Sequence, residues 1–222
     1  MTVQKRRGLL TSVEGIDGSG KSTSLPALAD WLRERGHEVV MTREPGGTPV
    51  GEKLRDMVLH MPMDPLAEAL LMFASRRDHI KTVIEPALAR GAIVLCDRFT
   101  DSSFAYQGAG RGFSIEVLTQ LEAWVTEGLQ PDLTLWYDLP ADEAARRRSA
   151  ARAADRFEQE EIAFFERVRA GYQHRMDADP RRFVRIDALR TRGEVWDDMV
   201  AIVGAFLQRT QERTAIASCV AA

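Results

Sequence analysis

The chain has 222 residues, 30 basic and 33 acidic side chains and a formal net charge of -3, a length that suits one α/β domain and is short for two. That balance offers no general attraction to a nucleic acid polymer, and no apolar run is long enough to cross a bilayer, which predicts a protein without a membrane segment. Cys96 and Cys219 stand far apart in no ligand spacing, which argues against a disulfide framework or zinc site and for a reducing, cytoplasmic compartment.

In chain order, the apolar run from Leu9 to Val13 reads as a strand. It leads into Gly15-Ile16-Asp17-Gly18-Ser19-Gly20-Lys21-Ser22, a complete GxxxxGK[ST] pattern. Glycines at this spacing let backbone amides turn inward around a triphosphate, and a helix starting near Lys21 aims its positive end at the same place. Lys21 is expected at the β- and γ-phosphates and Ser22 on a magnesium ion. Leu25, Leu28, Ala29 and Leu32 mark one face of a helix over 22–35 that Gly36 closes. Pro26 predicts a slight bend or a short start. Val39 to Thr42 is a second strand, and the alternation predicts a parallel sheet covered by helices on both faces.

Arg43-Glu44-Pro45-Gly46-Gly47-Thr48 follows that strand at its carboxyl end, the edge where open parallel sheets place ligands. Residues 51–60 look helical, with Glu52, Lys53, Arg55 and Asp56 as a solvated face. Residues 64–90 form a long helical region with a break expected near Pro86. Within it Phe73 and Arg77 are four apart, hence on one face. Such a pair can stack a base and donate to its carbonyl oxygen, although the same residues also suit a core phenylalanine and a solvent-facing arginine. The run from Ala92 to Cys96 reads as a buried central strand ending in Asp97-Arg98. The acid there suits magnesium and its waters, and the arginine a phosphate. Residues 100–112, with Ser103, Tyr106 and Gln107, read as a polar loop or loop-helix junction able to read a small ligand.

A helix over 115–127 and a strand over 133–139 follow. Residues 141–156 carry Arg146, Arg147, Arg148, Arg152 and Arg156. Such a run is either a solvated helix face or a mobile lid, and beside a phosphate loop the lid, at about 145–156, is the better reading. Residues 158–177 are helical, 183–186 a last strand and 191–208 a closing helix; the tail 213–222 is expected to fray. The whole predicts a single domain over 1–222, a three-layer α/β sandwich of the P-loop NTPase type with a five-stranded parallel sheet. The sequence contains no asparagine, which removes regulatory GTPases and protein kinases, both of which need one. A small-molecule kinase and a switch or motor ATPase remain. Arg43 and Arg98, set apart from the lid arginines, favour a kinase with facing donor and acceptor sites.

The segments VEGIDGSGKST at 13–23, TREPGGTPVGEKLR at 42–55, LLMFASRRDH at 70–79, CDRFTDSSFAYQGAGRG at 96–112, PDLTLWYDLP at 131–140 and DRFEQE at 155–160 resemble those of bacterial thymidylate kinases, in the same order. The resemblance implies ATP and dTMP as substrates, Mg²⁺ as cofactor and a homodimer. It places ATP on Gly15, Ile16, Asp17, Gly18, Ser19, Gly20, Lys21, Ser22 and Thr23. Asp17 accepts from the sugar 3′-hydroxyl, Phe73 stacks on thymine and Arg77 donates to it. Arg43 and Arg98 face the acceptor phosphate, Asp97 acts through the magnesium shell, and Ser103 and Gln107 lie near the base. Tyr106 crowds the sugar's 2′ side. One branch of the family has a basic residue where this chain has Gly18, so catalytic positive charge is expected from the lid, through Arg147, Arg148 or Arg152. The Arg-Gly pair typical of the other branch is here Ala151-Arg152-Ala153-Ala154, which leaves the choice among the three open.

Overall fold

The computed structural model describes residues 8–148, 157 and 160–220. Five strands, β1 Leu9–Glu14, β2 Val39–Arg43, β3 Ile93–Asp97, β4 Leu133–Asp138 and β5 Phe183–Asp187, form one parallel sheet in the order β2-β3-β1-β4-β5. The apolar runs therefore became strands as expected. β1 sits between β3 and β4, so the chain leaves it in both directions and opens a crevice at the carboxyl edge, where ligands settle in such sheets. The register sets Val13 and Arg43 on either side of Asp97 at that edge.

Alternation along the strands divides the core between two faces. Val13, Ile93, Leu95, Leu135 and Tyr137 pack with α1 (Lys21–Arg33), and Met199 and Val203 of α9 (Arg192–Val220) join them. On the other face Leu10, Val94 and Cys96 meet Ile80, Ile84, Ala87 and Leu88. Cys96 is a buried, free thiol, the small hydrophobe its surroundings require.

Several local expectations need correction. α1 starts at Lys21, so Pro26 does not shorten its start. After α2 (Pro49–His60) and α3 (Pro65–His79), the break near Pro86 is a π-helical turn, Ile80–Ile84, before α4 (Glu85–Arg90). Pro86 has no N–H to give to the preceding turn, and a wider turn accommodates that. Residues 100–112 are not a loop: α5 (Thr100–Ser103) continues into a buried π-helical stretch, Phe104–Gly110. Its small residues let it lie directly on α8 (Ile162–Ala178), where a Cβ on Gly171 would stand 2.9 Å from Cα of Ala105. α6 (Ile115–Thr126) and α7 (Ala141–Arg148) fall where the pattern put helices. α9 extends to Val220, past the point where fraying is expected. Of the proposed lid, only the α7 part lies among the described residues.

Candidate active site

The phosphate loop leaves β1 and enters α1 at Lys21, with Gly15, Gly18 and Gly20 at positive φ. Gly15 is required for a second reason: a Cβ there would stand 2.5 Å from the Tyr137 carbonyl oxygen of β4, so the loop is pressed onto the sheet. Lys21 is buried. Its ammonium donates to the carbonyls of Gly15 at 2.7 Å and Ile16 at 3.1 Å and to Ser19 Oγ at 3.4 Å. Burial, and then Arg98, push its pKa down to about 8, against the pull of Asp97, Asp17 and Glu14. A cation is thus held inside the loop with little water around it.

A cavity opens beside the loop, and Asp17 belongs to both. Arg98 also lines it, at the turn after β3 in the left-handed region, φ 69°, a conformation that costs a non-glycine residue about 1–2 kcal/mol. The surroundings hold it there. Its backbone N–H bonds the Val13 carbonyl at 3.0 Å, and its guanidinium donates to Asp17 Oδ1 at 2.9 Å, Tyr106 Oη at 3.1 Å and Tyr172 Oη at 3.2 Å. Strain fixed by many contacts in this way is typical of a functional position. Behind it, buried Glu14 accepts from the Phe99 amide at 2.7 Å and from Ser102 Oγ at 2.6 Å. Burial and the nearby Asp101 carboxylate raise Glu14 to about 7 against those hydrogen bonds.

Tyr106 and Gln107 reach the cavity from the π-helical stretch. The Tyr106 ring is wedged edge-on against Phe157, Phe164 and Tyr172, with centroids 5.9–6.5 Å apart. Gln107 Nε2 donates to Glu68 Oε1 at 2.7 Å, while its Oε1 is buried with no hydrogen-bond partner among the described residues. Ser103 stands one step back, accepting from Arg76 at 3.1 Å. The apolar wall is Val58, Leu59 and Met72.

Phe73 and Arg77 are not brought to this cavity. The Phe73 ring is buried with Phe104, Leu118 and Leu121, and Arg77 turns away to the Val125 carbonyl at 2.9 Å and Glu127 at 2.8 Å. The neighbouring pair with the same spacing, Met72 and Arg76, points inward instead. Met72 lines the cavity, and Arg76 is buried just behind it on Glu44 Oε2 at 2.6 Å. Arg43 lies at the end of β2 but outside the cavity lining, its half-exposed guanidinium held by Glu52 Oε2 at 2.8 Å. Arg55, read from the sequence as part of a solvated face, lines the cavity and donates to the Pro45 carbonyl at 3.0 Å. Glu44 and Pro45 line the cavity from the loop that the sequence set at the ligand edge of the sheet, whereas Met72 and Phe157 were passed over. The available signal was that α2 follows a rigid Pro-Gly-Gly loop directly, so its first turns must face that loop.

Glu44, His79 and Cys96 bring three possible ligand atoms within 4.8 Å of one another. All three are engaged in hydrogen bonds: Glu44 with Arg76 and His79, His79 with Thr42 at 2.5 Å, and Cys96 with the Arg98 carbonyl. They form a scaffold under the loop at residues 43–48. Asp97 Oδ1, by contrast, is buried without a partner among the described residues, and Ser22 is exposed at the second residue of α1. Two hard oxygens of this kind fit magnesium. On α7, Arg146 pairs with Glu143, and Arg147 donates to Glu143 at 2.7 Å and to the Ala188 carbonyl at 3.0 Å. Arg152 and the Arg148 side chain lie outside the described residues.

A phosphate loop facing a polar cavity is common to several kinases, and comparison with known proteins separates them. The family model described as Thymidylate kinase matches residues 13–199. The chain belongs to the thymidylate kinase family. Members of this family phosphorylate dTMP to dTDP, with ATP as donor and, in general, a divalent metal. A thymidylate kinase of Albidiferax ferrireducens is 55% identical over 206 residues, covering 89% of this chain and 96% of the relative. One of Methylobacillus flagellatus is 52% identical over 200 residues, covering 90% and 98%. The crystal structure of a thymidylate kinase from Ehrlichia chaffeensis superposes with a TM-score of 0.72 at 32% identity, covering 89% of this chain and 99% of the other. The resemblance seen in the motifs therefore extends over most of the thymidylate kinase chain and its fold.

Proposed function

We propose that the loop at residues 15–23 holds ATP and that the cavity beside it holds dTMP, so that the γ-phosphoryl group passes to the 5′-phosphate. The observation that supports this reading is the position of Asp17, which is part of the phosphate loop, lines the cavity and is ion-paired to Arg98. Donor and acceptor anions would then meet across one residue. The acceptor oxygen is already anionic, so no nucleophile needs to be activated; alignment and neutralisation of charge do the work. Lys21 neutralises the transferring group. Arg98 orients the acceptor phosphate, with Arg43 available at the mouth, and Asp17 accepts from the sugar 3′-hydroxyl.

Met72 takes the place at the base that the sequence pattern gave to Phe73, and Arg76 the place of Arg77. The Gln107 carbonyl oxygen accepts from the base imide. Ser22 and Asp97 would hold Mg²⁺, which when bound neutralises the charge shared by the β- and γ-phosphates. One of the arginines 147, 148 and 152 closes over the phosphates and excludes water. With γ-labelled ATP and dTMP the label is expected in dTDP. Release as inorganic phosphate would instead mark a hydrolase or switch ATPase.

Tyr106, fixed by three rings and by Arg98, would crowd a hydroxyl on the 2′ side of the sugar. Tyr106→Ala is therefore expected to raise the kcat/KM of UMP relative to dUMP by about tenfold; an unchanged ratio removes the steric role. Leu66 and Leu70, four apart on α3, and Trp124 on the adjacent α6 are exposed, and we read them as the contact between two copies of the chain in the cytoplasm. Sedimentation at micromolar concentration is expected to give the dimer mass, and Trp124→Glu the monomer mass.

A further inference from the structure

We propose that Glu68 is a positioning residue for base selection, which pins the Gln107 amide so that only its carbonyl oxygen faces the cavity. This rests on the reading that the cavity takes the pyrimidine of the acceptor nucleotide. The two ends of a primary amide are nearly identical in shape and opposite in hydrogen bonding, so the partner behind the amide decides which end is offered to a ligand. Here that partner is a carboxylate. Glu68 is buried, and its Oε1 accepts from Gln107 Nε2 at 2.7 Å and from Arg111 Nε at 3.1 Å. Arg111 is tied in turn to Glu160 at 2.9 Å. A flipped amide would set two acceptors against each other in a buried site, a costly arrangement.

What remains for the ligand is Gln107 Oε1, buried and without a partner among the described residues. It is satisfied by a base that carries an N–H on that edge, as thymine and uracil do at N3. Cytosine presents an unprotonated nitrogen acceptor at N3, so two desolvated acceptors would face each other. A polar site left unpaired discriminates far more strongly than a difference in size. Glu68 touches no substrate and acts only through Gln107, which joins α3 to the π-helical stretch.

The test compares kcat/KM for dTMP and dCMP in the full chain, for the wild type, Glu68→Gln, Gln107→Leu and the double variant. A glutamine at 68 can offer Gln107 either an oxygen or an N–H, so the amide is free to flip. The dTMP to dCMP ratio is expected to fall about tenfold or more in Glu68→Gln, through KM rather than kcat. In the Gln107→Leu background the same change is expected to leave the ratio where it is. Equal losses on both substrates, or a ratio change that persists without Gln107, would overturn the proposal and leave Glu68 a structural residue. If Gln107→Leu leaves dTMP turnover untouched, the placement of the base itself is wrong, a separate failure. Should Glu68→Gln not fold, Glu68→Asp withdraws the carboxylate by one methylene and takes its place: a fallen ratio supports the proposal and an unchanged one overturns it.

Discussion

Replacing Lys21 with alanine is expected to lower turnover by about two to three orders of magnitude, the usual cost of removing one preorganised donor from a developing charge. The Lys21 ammonium is already stripped of water inside the loop, held by the Gly15 and Ile16 carbonyls. Exchanging those carbonyls for phosphate oxygens requires no fresh desolvation, and the attraction increases as charge moves onto the leaving group. The loss should therefore fall on kcat more than on the KM for ATP. Lys21→Arg keeps the charge but is too long and planar for the same pocket, so it should recover only part of the rate. Steady-state ADP release at saturating ATP and dTMP measures both variants. Turnover within a few-fold of wild type in Lys21→Ala would take the loop out of the chemistry.

Arg98→Ala is expected to lower kcat/KM for dTMP by about two orders of magnitude or more, with the KM for ATP little changed. Its guanidinium is the charged group held between Asp17, Tyr106 and Tyr172, and alanine removes that charge from the cavity. Substitution here also affects the backbone, because φ is 69°. Arg98→Gly removes the same side chain and relieves the strain, so it should match the alanine variant in activity and exceed it in stability by about 0.4–1 kcal/mol or more. Initial-rate kinetics with dTMP varied, together with chemical denaturation of both variants, separate the two effects. If both variants keep the wild-type KM for dTMP, Arg98 does not hold the acceptor.

The sheet was legible because each strand is a short apolar run ending at a punctuating residue. The positions of the phosphate loop and of Asp97-Arg98 at strand ends were legible because each directly follows an apolar run, and the pairing of β1 with β3 sets those ends side by side. The side of α3 that faces the cavity was read one residue out of phase. Phe73 and Arg77 satisfy the four-residue spacing, but so do Met72 and Arg76, and one step along a helix turns a side chain by about 100°. Nothing in the local sequence shows which pair faces the cavity; packing against Phe104 and Leu118 decides it. Residues 100–112 looked like a loop because glycine and serine are frequent there, yet the small size of Ala105, Ala109 and Gly110 is what lets this stretch lie closely on α8. Arg55 looked solvated because it stands in a charged run with Glu52, Lys53 and Asp56. Its place at the cavity is set by the Pro-Gly-Gly loop that leads into its helix, through the bond to the Pro45 carbonyl.

In the proposed reading, dTMP entering the cavity is what draws the phosphoryl group from ATP. ADP release measured with ATP alone and with dTMP, dUMP, dCMP, AMP and GMP in turn tests it most directly. The structure predicts a low rate with ATP alone, the largest stimulation by dTMP and a weaker one by dUMP, which lacks the methyl group, with little response to dCMP or the purines. Equal rates with and without dTMP, or stronger stimulation by a purine monophosphate, would contradict it.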